Sequence, residues 1–311
     1  MPTSIAMNAA FILLALSILA AESTAAENPI YKELIQKGVR MSDGSTVKLP
    51  PPIVPDGLDA AGQWAAMDKV ATVRSPVERL VQKSFYAPVV VKVRTVKSSE
   101  GEGPAVRTVD LWFVAHGDWD VLTSKEFFES MAGAKDEGPN RVVSKSGTLT
   151  DEEMTERKLS ATNKDGYEER FVYTTFSLFE RVELSATRLA GLTRGKDSWL
   201  AAARIDRRFD KDPEYPNQWR ALLRDVRAEI ELGPAHPFLH AGGYAKITRL
   251  KKPAGAVFVE CHLAYEEDYG WFDGVNLVKR KVPLMVREKV RTFRRKLAVA
   301  SEQTAKEADS Q

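Results

Sequence analysis

The residues able to do chemistry fall into a few small groups. Ala115-His-Gly-Asp-Trp-Asp120 sets His116, Asp118 and Asp120 at alternate positions after a strand-like run. Carboxylates at that spacing suit calcium or magnesium, and imidazole suits zinc. The segment supplies fewer oxygens than a calcium site takes, and a zinc site wants more imidazole or thiolate. A strand-end turn, with Gly117 permitting the bend, accounts for the same residues. His236, His240 and His262 are the remaining histidines, and Cys261 is the only cysteine. His236 and His240 stand four apart, but Pro237 and the Gly242-Gly243 pair read as loop. On a strand Cys261 and His262 point to opposite faces, so at most one can join a metal site. No metal and no cofactor is expected.

Phe258, Glu260 and His262 share one face of a strand-like run, while Val257, Val259, Cys261 and Leu263 share the other. If the first face lines a cavity, Glu260 and His262 form a polar handle that orients a mostly apolar ligand. Trp271, beside Gly270 and Gly274, is the candidate residue for the mouth of such a cavity. The competing reading is a half-polar sheet face with cross-strand charge pairing. Acid–base catalysis by Glu260 and His262 would require a cleft and shifted pKa values. The chain has no Gly-x-Ser-x-Gly elbow, no phosphate-binding glycine loop and no His-Glu-x-x-His, so no catalytic residue is assigned. The single cysteine, on an apolar strand face, reads as a buried, inert thiol and allows no internal disulfide.

The elements that must position these residues begin with a short helix, Asn28 to Gly38, capped by Asn28 and started by Pro29. Lys48-Leu-Pro-Pro-Pro-Ile-Val-Pro-Asp-Gly57 holds four prolines and reads as an extended linker. Leu58–Val73 carries apolar residues at helical spacing, and a second short helix starts at Pro76 behind a Ser75 cap. From Val89 the period becomes two. Strands are expected at 89–96, 108–115, 141–147, 168–176, 178–189, 199–205, 244–250 and 256–265, with a helix at 125–131. Their short turns make sequential strands antiparallel neighbours. The chain closes on an amphipathic helix with Pro283 in its first turn. Val282, Val286, Val290, Phe293 and Leu297 form one stripe, and residues 299–311 are expected to be a disordered tail.

The first 26 residues are a candidate leader. Ala9–Ala21 is a thirteen-residue uncharged run followed by small residues, with Thr24 and Ala26, or Ser23 and Ala25, fitting the −3 and −1 positions of a cleavage site. No Lys or Arg precedes it, and it is shorter than the roughly 20 residues that span a bilayer. Export to the periplasm or cell envelope, with cleavage near Ala26, is the expectation. The organisation is then a leader, an N-terminal segment with its linker (27–57), one domain (58–298) and the tail. With 45 basic and 43 acidic residues the formal charge is +2, which argues against a nucleic-acid partner. Positive charge concentrates at 279–296, where Arg287, Arg291, Arg294 and Arg295 offer weak contact with an anionic membrane; the wet side of a packed helix is the competing reading.

This order of elements resembles the helix-grip fold of the START and polyketide-cyclase-like superfamily. The likeness is best over 242–295, where two strands joined at Lys252-Pro-Ala-Gly255 lead through Tyr269-Gly-Trp-Phe-Asp-Gly274 into the last helix. It implies an α+β fold in which a curved antiparallel sheet wraps a long C-terminal helix around an apolar cavity. The chain is also similar to a set of exported, functionally uncharacterised proteins of planctomycete-type bacteria. The matching segments are Leu49-Pro-Pro-Pro52, Asp56-Gly-Leu-Asp59, Asp110-Leu-Trp-Phe-Val114, Pro216-Asn-Gln-Trp219 and Gly270-Trp-Phe-Asp-Gly274. That likeness adds no catalytic residue. The expected function is non-enzymatic binding of an apolar small molecule or lipid between sheet and helix. The alternative is an envelope structural or interaction protein with a filled core.

Overall fold

The alternating runs of the middle of the chain build one large antiparallel sheet, and the periodic ends of the chain cover its two faces. A computed structural model describes residues 28–97, 103–124, 126–127, 145–164, 166–224, 230–273 and 275–309. The leader, and most of the helix and strand expected at 125–131 and 141–147, lie outside them.

Helix α1 (Pro29–Gln36) has the expected cap, the Asn28 carboxamide accepting from Tyr31 N–H at 3.0 Å. A small hairpin follows, β1 (Val39–Arg40) with β2 (Thr46–Val47). Helices α2 (Ala60–Asp68) and α3 (Val77–Leu80) come next. Pro76, not Ser75, occupies the cap position of α3, because Ser75 is held in a bridge with Thr72. Strands β3 (Val90–Lys97) and β4 (Ala105–His116) precede the short α4 (Trp119–Leu122) and β5 (Lys145–Thr148). Helix α5 (Asp151–Glu156) then leads to β6 (Asn163–Lys164), β7 (Tyr167–Leu178), β8 (Val182–Arg194), β9 (Ser198–Ile205), β10 (Gln218–Arg224), β11 (Ile230–Leu232), β12 (His236–Pro237), β13 (Ala241–Arg249) and β14 (Ala256–Glu267). The last element is α6 (Leu277–Asp309).

The sheet has twelve strands, all paired antiparallel, with β8-β9-β13-β14-β4-β3 forming its body and β7 pairing the other side of β8. The fold is therefore α+β, as the alternation predicts. Period two splits the body into two chemically distinct faces. Val109, Leu111, Phe113 and Ala115 of β4 and Val257, Val259 and Cys261 of β14 join the α6 stripe in one buried cluster. Every residue of the expected stripe, Val282 to Leu297, is buried there. On the opposite face, α2 and α3 cover Trp112, Val114 and Phe258, while α1 covers Ala202, Tyr244 and Ala264.

Three sequence expectations change here. Residues 48–57 are not a free linker: Leu49 and Val54 are buried, and the segment lies across the sheet as a strap. Helix α6 starts earlier than expected, with Asn276 Oδ1 accepting from Lys279 N–H, so Pro283 is internal to it. It also continues through the tail to Asp309, where alanines, Glu302, Lys306 and Glu307 are good helix formers. No helix among the described residues is long and apolar enough to cross a membrane.

Gly117 shows how closely helix and sheet approach. A Cβ there would stand 2.4 Å from Leu297 Cγ, and Leu297 is fully buried with no room to give. Close approach, rather than the turn itself, requires the glycine. Gly117→Ala should therefore cost about 1–3 kcal/mol of overpacking, read as a lower urea midpoint at unchanged m; an unchanged midpoint would show that α6 is not seated on the β4 end.

Candidate functional site

The register of three strands gathers charged side chains that lie far apart in sequence. β13 pairs β14 so that Tyr244 faces His262 and Lys246 faces Glu260; β14 pairs β4 so that His262 faces Asp110. All five are on the strap side of the sheet, in the gap between the apolar clusters under α1 and under α2–α3. Glu260 is 0% exposed and His262 is 1% exposed. Burying charge without partners is strongly unfavourable, so each group has to be accounted for.

Asp110 Oδ1 lies 2.7 Å from His262 Nδ1, and Arg94 reaches over from β3 to bond the other carboxylate oxygen. His262 Nε2 is 3.8 Å from Glu260 Oε2, an ion-pair separation and not a hydrogen bond. The strap supplies further contacts, while Glu260 Oε1 and His262 Nε2 have no hydrogen-bond partner among the described residues. Ile53 N–H donates to Glu260 Oε2 at 2.9 Å, Pro50 C=O accepts from the Tyr244 hydroxyl at 2.5 Å, and Val54 C=O accepts from Lys246 Nζ at 2.9 Å. Asp56 completes Lys246 with a carboxylate oxygen at 2.8 Å. Three successive prolines bring carbonyls and no N–H groups. They can cross this row without burying donors that lack acceptors, and the first amide after them is the one that meets Glu260.

These surroundings set the protonation states. Burial alone would hold the His262 ring below its ordinary value, but the Asp110 hydrogen bond and the Glu260 carboxylate outweigh it and the net shift is upward. Burial and the Glu260 charge push the Tyr244 phenol up, and burial does the same to the Cys261 thiol on the helix side. Tyr31 is pushed up to about 12 by burial and by the Glu260 and Asp56 charges, so its hydroxyl stays protonated.

Beside the row is a cleft of about 510 Å³ between α1, the strap and the β8–β9 turn. Tyr31 and Ile35, Pro52 and Pro55, Leu200 and Lys246 are among its walls. The Thr193 hydroxyl, also in its lining, is buried without a hydrogen-bond partner among the described residues. On the helix side, by contrast, a cavity of about 50 Å³ lies over Ala190, Ala201, Ala203 and Ala245, room for a few waters.

The four residues proposed as ligand contacts do not converge. Glu260 and His262 are together but sealed beneath the strap. Phe258 shares their face yet packs under α2 and α3 with Met67 and Leu80. Trp271 is on the other side, 2% exposed and 5.5 Å from Phe238, stacked on Tyr265. The other histidines scatter: His116 meets the Val81 carbonyl, His240 the Arg40 carbonyl, and His236 stacks on Trp219. Asp118 caps α4 by accepting from Asp120 and Val121 N–H. No group of three or more His, Cys, Asp or Glu able to hold a metal is found among the described residues. Asp110, Tyr244 and Lys246 escaped the sequence reading because pairing register is invisible in a single strand. The available signal was a charged residue on the inward phase of an otherwise apolar run.

No protein-family model matches the chain, and no curated protein does.

Two outcomes follow from the row. Glu260→Gln keeps the acceptor for Ile53 but strips the charge facing Lys246 and His262. It should cost about 3 kcal/mol, a loss of roughly 6–12 °C in Tm; a shift under 2 °C by differential scanning calorimetry would contradict the network. Because the folded-state pKa of His262 is raised, its contribution is complete below about pH 6.5 and is lost as pH rises through the folded value. The Tm difference between wild type and His262→Gln should accordingly shrink on the alkaline side, whereas a difference independent of pH would rule out a charged His262.

Proposed function

We propose that the chain is an exported, non-enzymatic binding protein for a small, mostly apolar molecule, and that the molecule sits in the strap-side cleft. The observation that carries this is the cleft itself: about 510 Å³ walled by proline, tyrosine, isoleucine and leucine, with Asn28, Lys32, Asp56 and Lys246 also in its lining, within the range of small-molecule sites. The Tyr31 and Thr193 hydroxyls and the Lys246–Asp56 pair supply a few polar contacts that would orient one end of the ligand. Lack of transformation is favoured by the burial of the acid–base groups, since Asp110, Glu260 and His262 are sealed from the cleft side by the strap and by Tyr244. The uncharged run Ala9–Ala21 supports export.

Relocating the ligand from the helix side to the strap side follows from the space present on each. The second reading, an envelope interaction protein with a filled core, is favoured by the close packing between sheet and α6. Native mass spectrometry of protein purified from its own cells separates the two. A reproducible added mass, extractable into organic solvent and absent from Leu200→Trp, which fills the cleft, is the expected result. An adduct retained in Leu200→Trp would place the ligand elsewhere. A clean apo mass, with no gain in Tm across a panel of lipids and small apolar compounds, would favour the interaction protein.

A further inference from the structure

The outward side of α6 is as ordered as its buried side. Arg280, Leu284, Arg287, Arg291 and Arg295 recur at intervals of 4, 3, 4 and 4, which at 100° per residue is a single line opposite the packed stripe. The line runs about 22 Å at 1.5 Å per residue. Arg280, Arg287 and Arg295 are exposed, and Leu284 is 65% exposed. Between residues 279 and 296 there are nine basic residues and one acidic residue, in a chain whose formal charge is only +2. Eight of the nine are exposed or half-buried, which makes the surface of α6 strongly basic.

Arg294 is not part of that surface. It is 3% exposed and turned inward, donating to the carbonyls of Val114 at 2.8 Å and Ala87 at 2.6 Å, which ties α6 to the ends of β3 and β4. Burial lowers its pKa to about 10. By anchoring the loop before β3, Arg294 sets two aromatic residues beside the arginine line. Tyr86 is 71% exposed, with the Arg291 guanidinium 4.8 Å from its ring centre, and Phe85 is 39% exposed next to it. The acidic residue, Glu288, pairs with Arg291 at 3.3 Å and leaves the other three arginines unmatched by it.

We propose that this face of α6, with Tyr86, Phe85 and Leu284, docks on an anionic lipid surface. Basic side chains reach phosphate headgroups, while exposed aromatic and aliphatic groups enter the headgroup–acyl boundary. A nucleic-acid backbone would use the same arginines but has no use for the exposed Leu284, and this combination favours lipid. The proposal concerns the face opposite the sheet and does not depend on the ligand cleft.

The test is co-sedimentation of the protein with phosphatidylcholine vesicles and with vesicles containing 30% phosphatidylglycerol, at 0.1 M and 0.5 M salt. Binding should require phosphatidylglycerol and fall with salt. Arg280→Gln/Arg287→Gln/Arg295→Gln should weaken partitioning roughly 100-fold, at about fivefold per residue. The three side chains are exposed, so Tm should stay unchanged. Leu284→Ser/Tyr86→Ser should weaken binding while leaving its salt dependence. Equal binding to both vesicle types, an unaffected triple variant, or tighter binding to single-stranded RNA than to the vesicles would each overturn the proposal.

Discussion

A row of charge buried in the middle of a sheet has to be closed by something that brings no unmet hydrogen bonds of its own. Glu260, His262, Asp110 and Lys246 would each be costly in the interior, and they are tolerable because Asp110 pairs with His262 across β4 and β14, Glu260 lies beside His262 on β14, and Lys246 pairs with Asp56 of the strap. What they lack is a roof. The strap offers carbonyls to Tyr244 and Lys246 and a single amide to Glu260, which the Pro50-Pro-Pro52 sequence is suited to provide. The N-terminal segment is thereby fixed on the sheet, with α1 on one side of the row and α2–α3 on the other. The cleft lies between this strap, α1 and the β8–β9 turn.

The two faces of the sheet divide the work. The helix side is apolar and closely packed, down to the missing Cβ of Gly117 against Leu297. Stability there comes from burial of the α6 stripe against β4 and β14, with Arg294 tying the helix to the strand ends. The strap side accepts polar groups and an open cleft, and it is stabilised by specific pairing. A charged row is weak evidence for stability as such; here it specifies where the strap lies, which is what shapes the cleft.

Much of the fold is legible in the sequence, because alternation and helical periodicity are local. The Asn28 cap, the β3–β4 and β13–β14 hairpins and the α6 stripe are all written within a few turns or strand lengths. The strap was not legible: four prolines look the same whether they hang in solvent or cover a sheet, and only Glu260 and Lys246, some two hundred residues away, decide it. The same reason hides the site. Period two puts Glu260 and His262 on one face, but it does not say which layer covers that face, nor that Tyr244 and Asp110 stand opposite. Arg294 looks like its exposed neighbours in a basic run, yet it lies between Phe293 and Leu297 on the packed flank. The β10–β11 pair and α5 were missed because their charged, short segments carry little periodicity.

The strap is latched to the polar row, and hydrogen–deuterium exchange at Ile53 is the direct probe of that latch. Ile53 carries the first amide after three prolines, and it donates a hydrogen bond from the strap to Glu260 of the row. A latched strap gives protection at Ile53 comparable to that of the β14 amides beneath it. Exchange within seconds, as in an unstructured peptide, while β14 stays protected, would contradict it and leave the buried charges without their roof.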